Sequence, residues 1–319
     1  MTNALVYISP SDPADRWRDA LIPALPEVDF SNDFHVWPDC LSELDKLGDI
    51  DIALVWKPKP GSLNHFPNLK AVINLGAGVD AVLADKTYPK NIPLIRLIDP
   101  TLTRHMSEFV VHRVLHFHRK FHIYDQMQRN HNWQELDQED TLQKRVGIMG
   151  LGTLGSDAAN HLAPFGFKIA SWSRTKKHVK DIESFYGKNS LEDFLKRTDI
   201  LICLLPLTAE TQGIINKKTL YQLPIGAYVI NPGRGRLINQ DDLLVALDSG
   251  HIAGAALDVF YTEPLPTNSL IWDHPKIIVT PHIASITSAR SAAEQIAENI
   301  RRIRRSEKPD NLVDLNSGY

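Results

Sequence analysis

Short apolar runs recur along the chain, each closed by a glycine, a proline or a polar turn. Residues 4–8, 52–56, 71–75 and 94–98 are the runs of the first hundred positions. Residues 146–149, a run ending at Trp172, and residues 200–205, 227–231, 254–258 and 277–279 follow in the second half. Runs this short, without polar alternation, read as strands buried on both faces. Stretches of helical spacing lie between them, as at 15–21 and 156–163. Strand alternating with helix predicts an α/β protein with parallel sheets. A long helix is predicted over about 103–128. Another is predicted from about residue 284, where Ala292, Ala293, Ile296, Ile300 and Ile303 keep one apolar stripe. Asp99 and Pro100 mark a boundary, and the last helix cannot extend the second sheet. The expected division is therefore 1–99 with 285–319 as one domain and 100–284 as the other.

One connection carries chemistry. Gly150, Leu151, Gly152, Thr153, Leu154 and Gly155 read G-x-G-x-x-G between an apolar strand and an amphipathic helix. That context is a dinucleotide-binding βαβ unit. Gly150 makes the tight turn, Gly152 lets backbone approach a pyrophosphate, and Gly155 lets helix and strand pack closely. The helix start at Thr153 and Leu154 offers N–H groups and a positive dipole end to phosphate. The six runs from 146 to 279 equal the strand number of a full dinucleotide sheet. Leu205 and Pro206 close one run where a ligand crevice should lie, with Thr208 and Thr211 behind them.

The second strand of such a unit usually ends in Asp or Glu, which holds the ribose 2′-hydroxyl of NAD. Here Ser173, Arg174, Thr175, Lys176 and Lys177 stand instead. Cations and hydroxyls at that tip suit a 2′-phosphate, and Arg can grip it bidentately. The expected cofactor is NADP(H), with NAD(H) the weaker one.

The chain has 319 residues, 43% hydrophobic and 23% charged, enough for two domains with sizeable cores. A formal net charge of −3 argues against nucleic-acid or anionic-membrane partners. The only cysteines are Cys40 and Cys203, the latter inside an apolar run, which suits a buried thiol in a reducing compartment. No secretory signal or membrane-length apolar run is present, so a cytoplasmic protein is expected. The 103–128 segment holds His105, His112, His116, His118 and His122, two pairs of them four apart. Without HExxH or a placed acidic ligand they read as surface or interface histidines, and no metal is expected. Trp133 reads as an anchor against a neighbour.

Three polar residues follow successive strands of the second half: Arg234 in NPGRG, Glu263 in DVFYTEPLP and His282 in VTPHIAS. The carboxyl edge of an open α/β sheet is where its ligand crevice forms. Arg can hold a carboxylate and polarise the adjoining carbonyl. His can exchange the proton of a substrate oxygen, and a carboxylate beside it fixes its orientation. In that order, beside a dinucleotide turn, they describe carbonyl reduction by hydride transfer. In the first half Gly76, Ala77 and Gly78 follow a strand directly and read either as a plain turn or as an anion nest.

GLGTLG, LLPLTAET, NPGRG, ALDVFYTEPLP and TPHIAS together resemble the D-isomer-specific 2-hydroxyacid dehydrogenase family over essentially the whole chain. ALVWKP, the LGAGVDA turn, WSRTKK and the closing Gly318–Tyr319 resemble its glyoxylate- and hydroxypyruvate-reducing branch. The resemblance implies two doubly wound parallel-sheet domains, a Rossmann cofactor domain inserted into a flavodoxin-like substrate domain. It implies that Arg234 binds the substrate carboxylate and keto oxygen, His282 donates the proton and Glu263 pairs with His282. It assigns Ala77 and Gly78 N–H groups to the carboxylate, Trp56 to closing the pocket and Asp258 to the nicotinamide carboxamide. It also implies a homodimer. The expected activity is NADPH-dependent reduction of small 2-oxo acids, glyoxylate to glycolate or hydroxypyruvate to D-glycerate. The alternatives are a reductase of another 2-oxo acid and a dinucleotide-sensing binding protein of the same fold.

Overall fold

The structure is a computed structural model that describes residues 3–43, 45–315 and 318. The chain forms two compact units, residues 1–102 with 287–319 (unit 1) and residues 103–286 (unit 2). Tyr319, one of the residues that carried the resemblance, lies outside the described residues.

Unit 1 begins with β1 (Ala4–Ile8), α1 (Ala14–Leu21), β2 (Phe34–Val36), β3 (Ile50–Val55), β4 (Ala71–Asn74), α2 (Asp80–Leu83) and β5 (Leu94–Arg96). Its strands are all parallel in the order β2-β1-β3-β4-β5, the flavodoxin-like winding. Every residue of β1, β3 and β4 is buried, which is why these runs are apolar without alternation. The chain then leaves through α3 (Pro100–His118), whose first turn holds the division between the units.

Unit 2 continues with α4 (Phe121–Arg129), β6 (Arg145–Met149), α5 (Thr153–Leu162), β7 (Lys168–Ser173), β8 (Glu183–Tyr186) and α6 (Leu191–Lys196). β9 (Ile200–Cys203), α7 (Lys217–Leu220), β10 (Ala227–Asn231), α8 (Gln240–Asp248), β11 (Ile252–Leu257) and β12 (Ile277–Val279) complete it. The parallel sheet runs β12-β11-β10-β9-β6-β7-β8. That is the 3-2-1-4-5-6 dinucleotide order with one strand added beyond the sixth. Apolar cores cover both faces, one including Phe194, Leu201, Val229 and Leu243, the other Val114, Ile148, Ala159 and Ile230. The last helix, α9 (Ala289–Arg304), starts where the Ser288 hydroxyl accepts the Ser291 N–H. Its Ala292, Ala293, Ile296 and Ile300 are buried with Trp17 and Leu21 of α1 in unit 1.

Three expectations are corrected. The second sheet has seven strands, not six, because β8 was not legible: ESFY is a half-exposed edge strand without an apolar run. β2 escaped for the same reason, three half-buried residues at the edge of the first sheet. The long helix over 103–128 is two helices. Lys120 takes a left-handed backbone (φ 59°), and its ammonium donates to the Asp137 carbonyl at 2.7 Å. The histidines there are not simply a surface set. His118 is buried, and His116 and His122 are half-buried with ring centroids 5.9 Å apart. His122 meets the edge of Phe117, which stacks on Tyr228 of β10 at 4.6 Å.

Candidate active site

β10, β11 and β12 are neighbours in register, with Asn231 opposite Leu257 and Leu257 opposite Val279. The turns carrying Arg234, Glu263 and His282 therefore leave the same sheet edge side by side. Asn231 shapes the first of them. Its amide nitrogen donates to the Arg234 carbonyl at 2.9 Å, and its side-chain oxygen accepts the Gly233 N–H at 3.2 Å. Arg234 is half-buried, in extended conformation, and its Nη1 donates to the Gly233 carbonyl at 2.8 Å. A side chain at Gly235 would overlap the backbone of Phe260, so this turn lies directly on the start of the Glu263 loop.

His282 Nδ1 stands 2.8 Å from Glu263 Oε2, with side-chain exposures of 27% and 25%. An ionised carboxylate only accepts, so Nδ1 carries the hydrogen and Nε2 is left to face an outside group. Glu263 Oε1 accepts the Phe260 N–H at 3.2 Å, which fixes the acid. His282 holds a left-handed backbone (φ 56°), a conformation that costs a non-glycine residue roughly 1 kcal/mol or more. Its N–H donates to the Asp258 carbonyl at 2.8 Å. The Asp258 side chain is fully buried. Oδ1 accepts the Thr280 hydroxyl at 2.6 Å and the Ile283 N–H at 2.9 Å, and Oδ2 accepts the Ala284 N–H at 2.8 Å.

The glycine turn opens α5. Gly150 has φ 98°, and a side chain there would come within 2.7 Å of the Leu204 carbonyl oxygen of the neighbouring connection. A side chain at Gly155 would overlap the Gly150 carbonyl, so helix and strand cross at backbone contact. The space beside Gly152 is open. Gly152 is the N-cap of α5 and supplies no side-chain cap to its first turn, where Thr153 and Leu154 lie. Those N–H groups point to a position that an anion can take. In the loop after β9, Leu205 is buried, Pro206 is half-buried, and the Thr211 hydroxyl donates to the Pro206 carbonyl at 2.6 Å.

At the tip of β7, Ser173 is buried and its hydroxyl donates to the Thr175 carbonyl at 2.8 Å. Arg174, Thr175, Lys176 and Lys177 are exposed. Lys176 Nζ lies 5.9 Å from the ring centroid of Tyr186 on β8, and the Trp172 indole donates to the Gly187 carbonyl at 2.9 Å. In unit 1, Trp56 packs its ring on Gly76, where any side chain would collide with it. Asn74, buried at the end of β4, donates to the Gly76 and Gly78 carbonyls at 2.8 and 3.1 Å and shapes the turn holding Ala77.

Sequence reading gave no role to Asn74, Asn231 or Thr280. Each stands within a residue of a strand's carboxyl end, the one signal that pointed to them. Cys203 is a packing residue, since complete burial pushes its thiol up to about 12. Among the described residues no group of three His, Cys, Asp or Glu side chains could hold a metal ion. Nor is any helix long and apolar enough to cross a membrane.

Residues 111–284 match the family model described as D-isomer specific 2-hydroxyacid dehydrogenase, NAD binding domain. The glyoxylate/hydroxypyruvate reductase A of Klebsiella pneumoniae strain 342 is 44% identical over 86% of this chain and 90% of its own. That of Citrobacter koseri is 41% identical over 99% of both chains. Among solved structures, a D-isomer specific 2-hydroxyacid dehydrogenase from Xanthobacter autotrophicus Py2, in complex with NADPH and MES, superposes with TM-score 0.93. It is 42% identical over 100% of both chains. The NADPH-dependent glyoxylate/hydroxypyruvate reductase of Sinorhizobium meliloti, in complex with NADP and sulfate, superposes with TM-score 0.91. It is 37% identical over 99% of this chain and 100% of that one.

Proposed function

The chain belongs to the D-isomer-specific 2-hydroxyacid dehydrogenase family, and from that premise we propose that it reduces small 2-oxo acids with NADPH. Glyoxylate and hydroxypyruvate are the substrates, glycolate and D-glycerate the products. The Glu263–His282 pair at 2.8 Å, one turn away from Arg234 at a shared sheet edge, is the observation that carries the reading.

The residues fit NADP(H). The uncapped start of α5 and the open space at Gly152 suit a pyrophosphate, and Ser173 to Lys176 place cations where an NAD site keeps an acid. Bound NADPH supplies a hydride to the keto carbon. Arg234 holds the carboxylate and draws charge from the keto oxygen. His282 gives its Nε2 proton to that oxygen as the alkoxide forms, which completes the hydroxyl group. Glu263 holds the ring by Nδ1 and stabilises the imidazolium before the transfer. Unit 2 is assigned the cofactor, and within it Leu205, Pro206 and Asp258 are assigned to line the site. In unit 1, the Ala77 and Gly78 N–H groups are assigned to a carboxylate, and Trp56 to limiting side-chain size. A homodimer is part of the reading, supported by Trp133, 98% exposed on the segment after α4. Sedimentation of a monomer at micromolar concentration would remove that element.

The test is a panel of small 2-oxo acids assayed with NADPH and NADH in parallel. The expected outcome is turnover of glyoxylate and hydroxypyruvate, with kcat/KM higher for NADPH. Turnover confined to bulky 2-oxo acids moves the assignment to another reductase. Tight NADPH binding without turnover of any substrate makes the chain a dinucleotide-sensing binding protein.

A further inference from the structure

We propose that Asp258 and Thr280 are positioning residues for His282: carboxylate and hydroxyl lock the 280–284 turn so that the imidazole stands against Glu263. The proposal rests on the reductase reading for its kinetic part. Its structural part stands on four observations.

First, register places the two residues together. Leu257 lies opposite Val279, so Asp258 and Thr280 each stand one residue beyond the ends of adjacent parallel strands. Second, the carboxylate is fully buried and takes donors from both sides of His282: Thr280 Oγ1 before it, and the Ile283 and Ala284 N–H groups after it. Third, the Asp258 carbonyl accepts the His282 N–H itself, while the Asp258 N–H donates to the Asn231 carbonyl at 3.1 Å. One residue thus joins the turn of His282 to the turn of Arg234. Fourth, His282 is held at φ 56°, a backbone state that persists only where neighbouring bonds over-determine it. A carboxylate needs its donors when buried, and those donors are the turn itself. Removing the hydroxyl leaves the charge in place and loosens the residue directly before Pro281 and His282.

The experiment uses the full-length protein with Thr280→Val, Thr280→Ala and Thr280→Ser. The ligand-free protein gives the first readout by proton NMR: the downfield Nδ1–H resonance of a histidine bonded to carboxylate, assigned by its loss in Glu263→Gln. Kinetics with glyoxylate and NADPH, and the Kd for NADPH from fluorescence, give the second and third. Thr280→Val and Thr280→Ala should lose the resonance, and kcat should fall about tenfold, within the roughly 10²-fold that a 1 Å misplacement costs. The Kd for NADPH should stay within about twofold, and Thr280→Ser should restore both resonance and kcat. A resonance and kcat unchanged in both Val and Ala variants overturn the proposal, as does a well-folded Ser variant that restores neither. A wild-type protein that shows the expected NMR pattern yet reduces no 2-oxo acid refutes the reductase reading and leaves the positioning intact.

Discussion

The proposed reaction gives His282 and Arg234 different work, and kinetics should separate them. His282→Ala removes the proposed proton donor but leaves the glycine turn, the β7 tip and Arg234 in place. General acid catalysis contributes about 10²–10⁴-fold, so kcat should fall by that order while NADPH binding survives. Under the proposed reaction Arg234 holds the substrate in the ground state and the developing oxyanion in the transition state. Arg234→Ala should therefore raise KM and lower kcat together. An unchanged kcat/KM in either variant would sink the assigned role. At the β7 tip, Arg174→Ala should raise KM for NADPH and leave that for NADH nearly unchanged, because only NADPH carries the 2′-phosphate assigned to the guanidinium. Equal effects on both cofactors would show that the exposed tip is a solvated loop. Arg234, Glu263 and His282 were legible in sequence as candidates because each follows a strand of one sheet edge and bears chemistry that no turn needs. Asn74, Asn231 and Thr280 were not, because their work is hydrogen bonding inside turns, and a polar residue at a strand end is ordinary until its partners are known.

Elements were legible where burial was two-sided. β1 and β9 are apolar throughout, and β3 and β4 are so except for Asp51 and Asn74, because both faces are covered. Two edge strands break that rule: β8 pairs only with β7 and β2 only with β1, and their sequences carry no run, whereas β5 and β12, also at sheet edges, keep theirs. The α3–α4 junction was hidden for another reason. Helical spacing continues through Arg119 and Lys120, and the break falls where Phe117 and His122 pack around Tyr228. That packing has a pH consequence. Burial first, then the nearby His122, with Arg113 and His112 adding and only Asp125 opposing, lowers His116 to about 4. Among the described residues its Nε2 has no hydrogen-bond partner. The unfolded chain protonates this ring near 6.5, so the folded state gains nothing from it in acid. Its contribution is whole above about pH 6.5, falls between there and about 4, and is gone below. Discounted for partial exposure, the loss is on the order of 1–2 kcal/mol. Burial also lowers His122, His118 and His112, so they act in the same direction. Urea unfolding at pH 7 and pH 4 should show a smaller acid loss in His116→Phe than in wild type. Equal losses would mean that the junction opens before the ring titrates.

At the scale of the whole molecule, the two ends of the chain build one unit around an insertion of 184 residues, 103–286. Closing so long a loop carries an entropic cost, and contacts between the ends must offset it. The apolar face of α9 on α1 is one such contact, and burial of each Ile or Leu side chain there stabilises by roughly 1.5–3 kcal/mol. The other is polar. Asp51, fully buried in β3, accepts from Arg304 of α9 through both oxygens at 3.2 and 3.0 Å, and Lys70 approaches at 3.5 Å. Arg304 is itself only 15% exposed, so removing Asp51 strands a cation in a site with little water. Breaking a buried pair in this way costs about 3–5 kcal/mol, whereas replacing both partners by apolar residues of similar volume is close to neutral. Asp51→Ala should therefore lose roughly two to four orders of magnitude of hydrogen-exchange protection in β1, β3 and α9. The strands of unit 2, β6 and β9 among them, should keep wild-type protection, and Asp51→Leu combined with Arg304→Met should recover most of the loss. Equal losses in both units would mean that they unfold as one, and the ion pair would then support the whole chain rather than the closure of its ends.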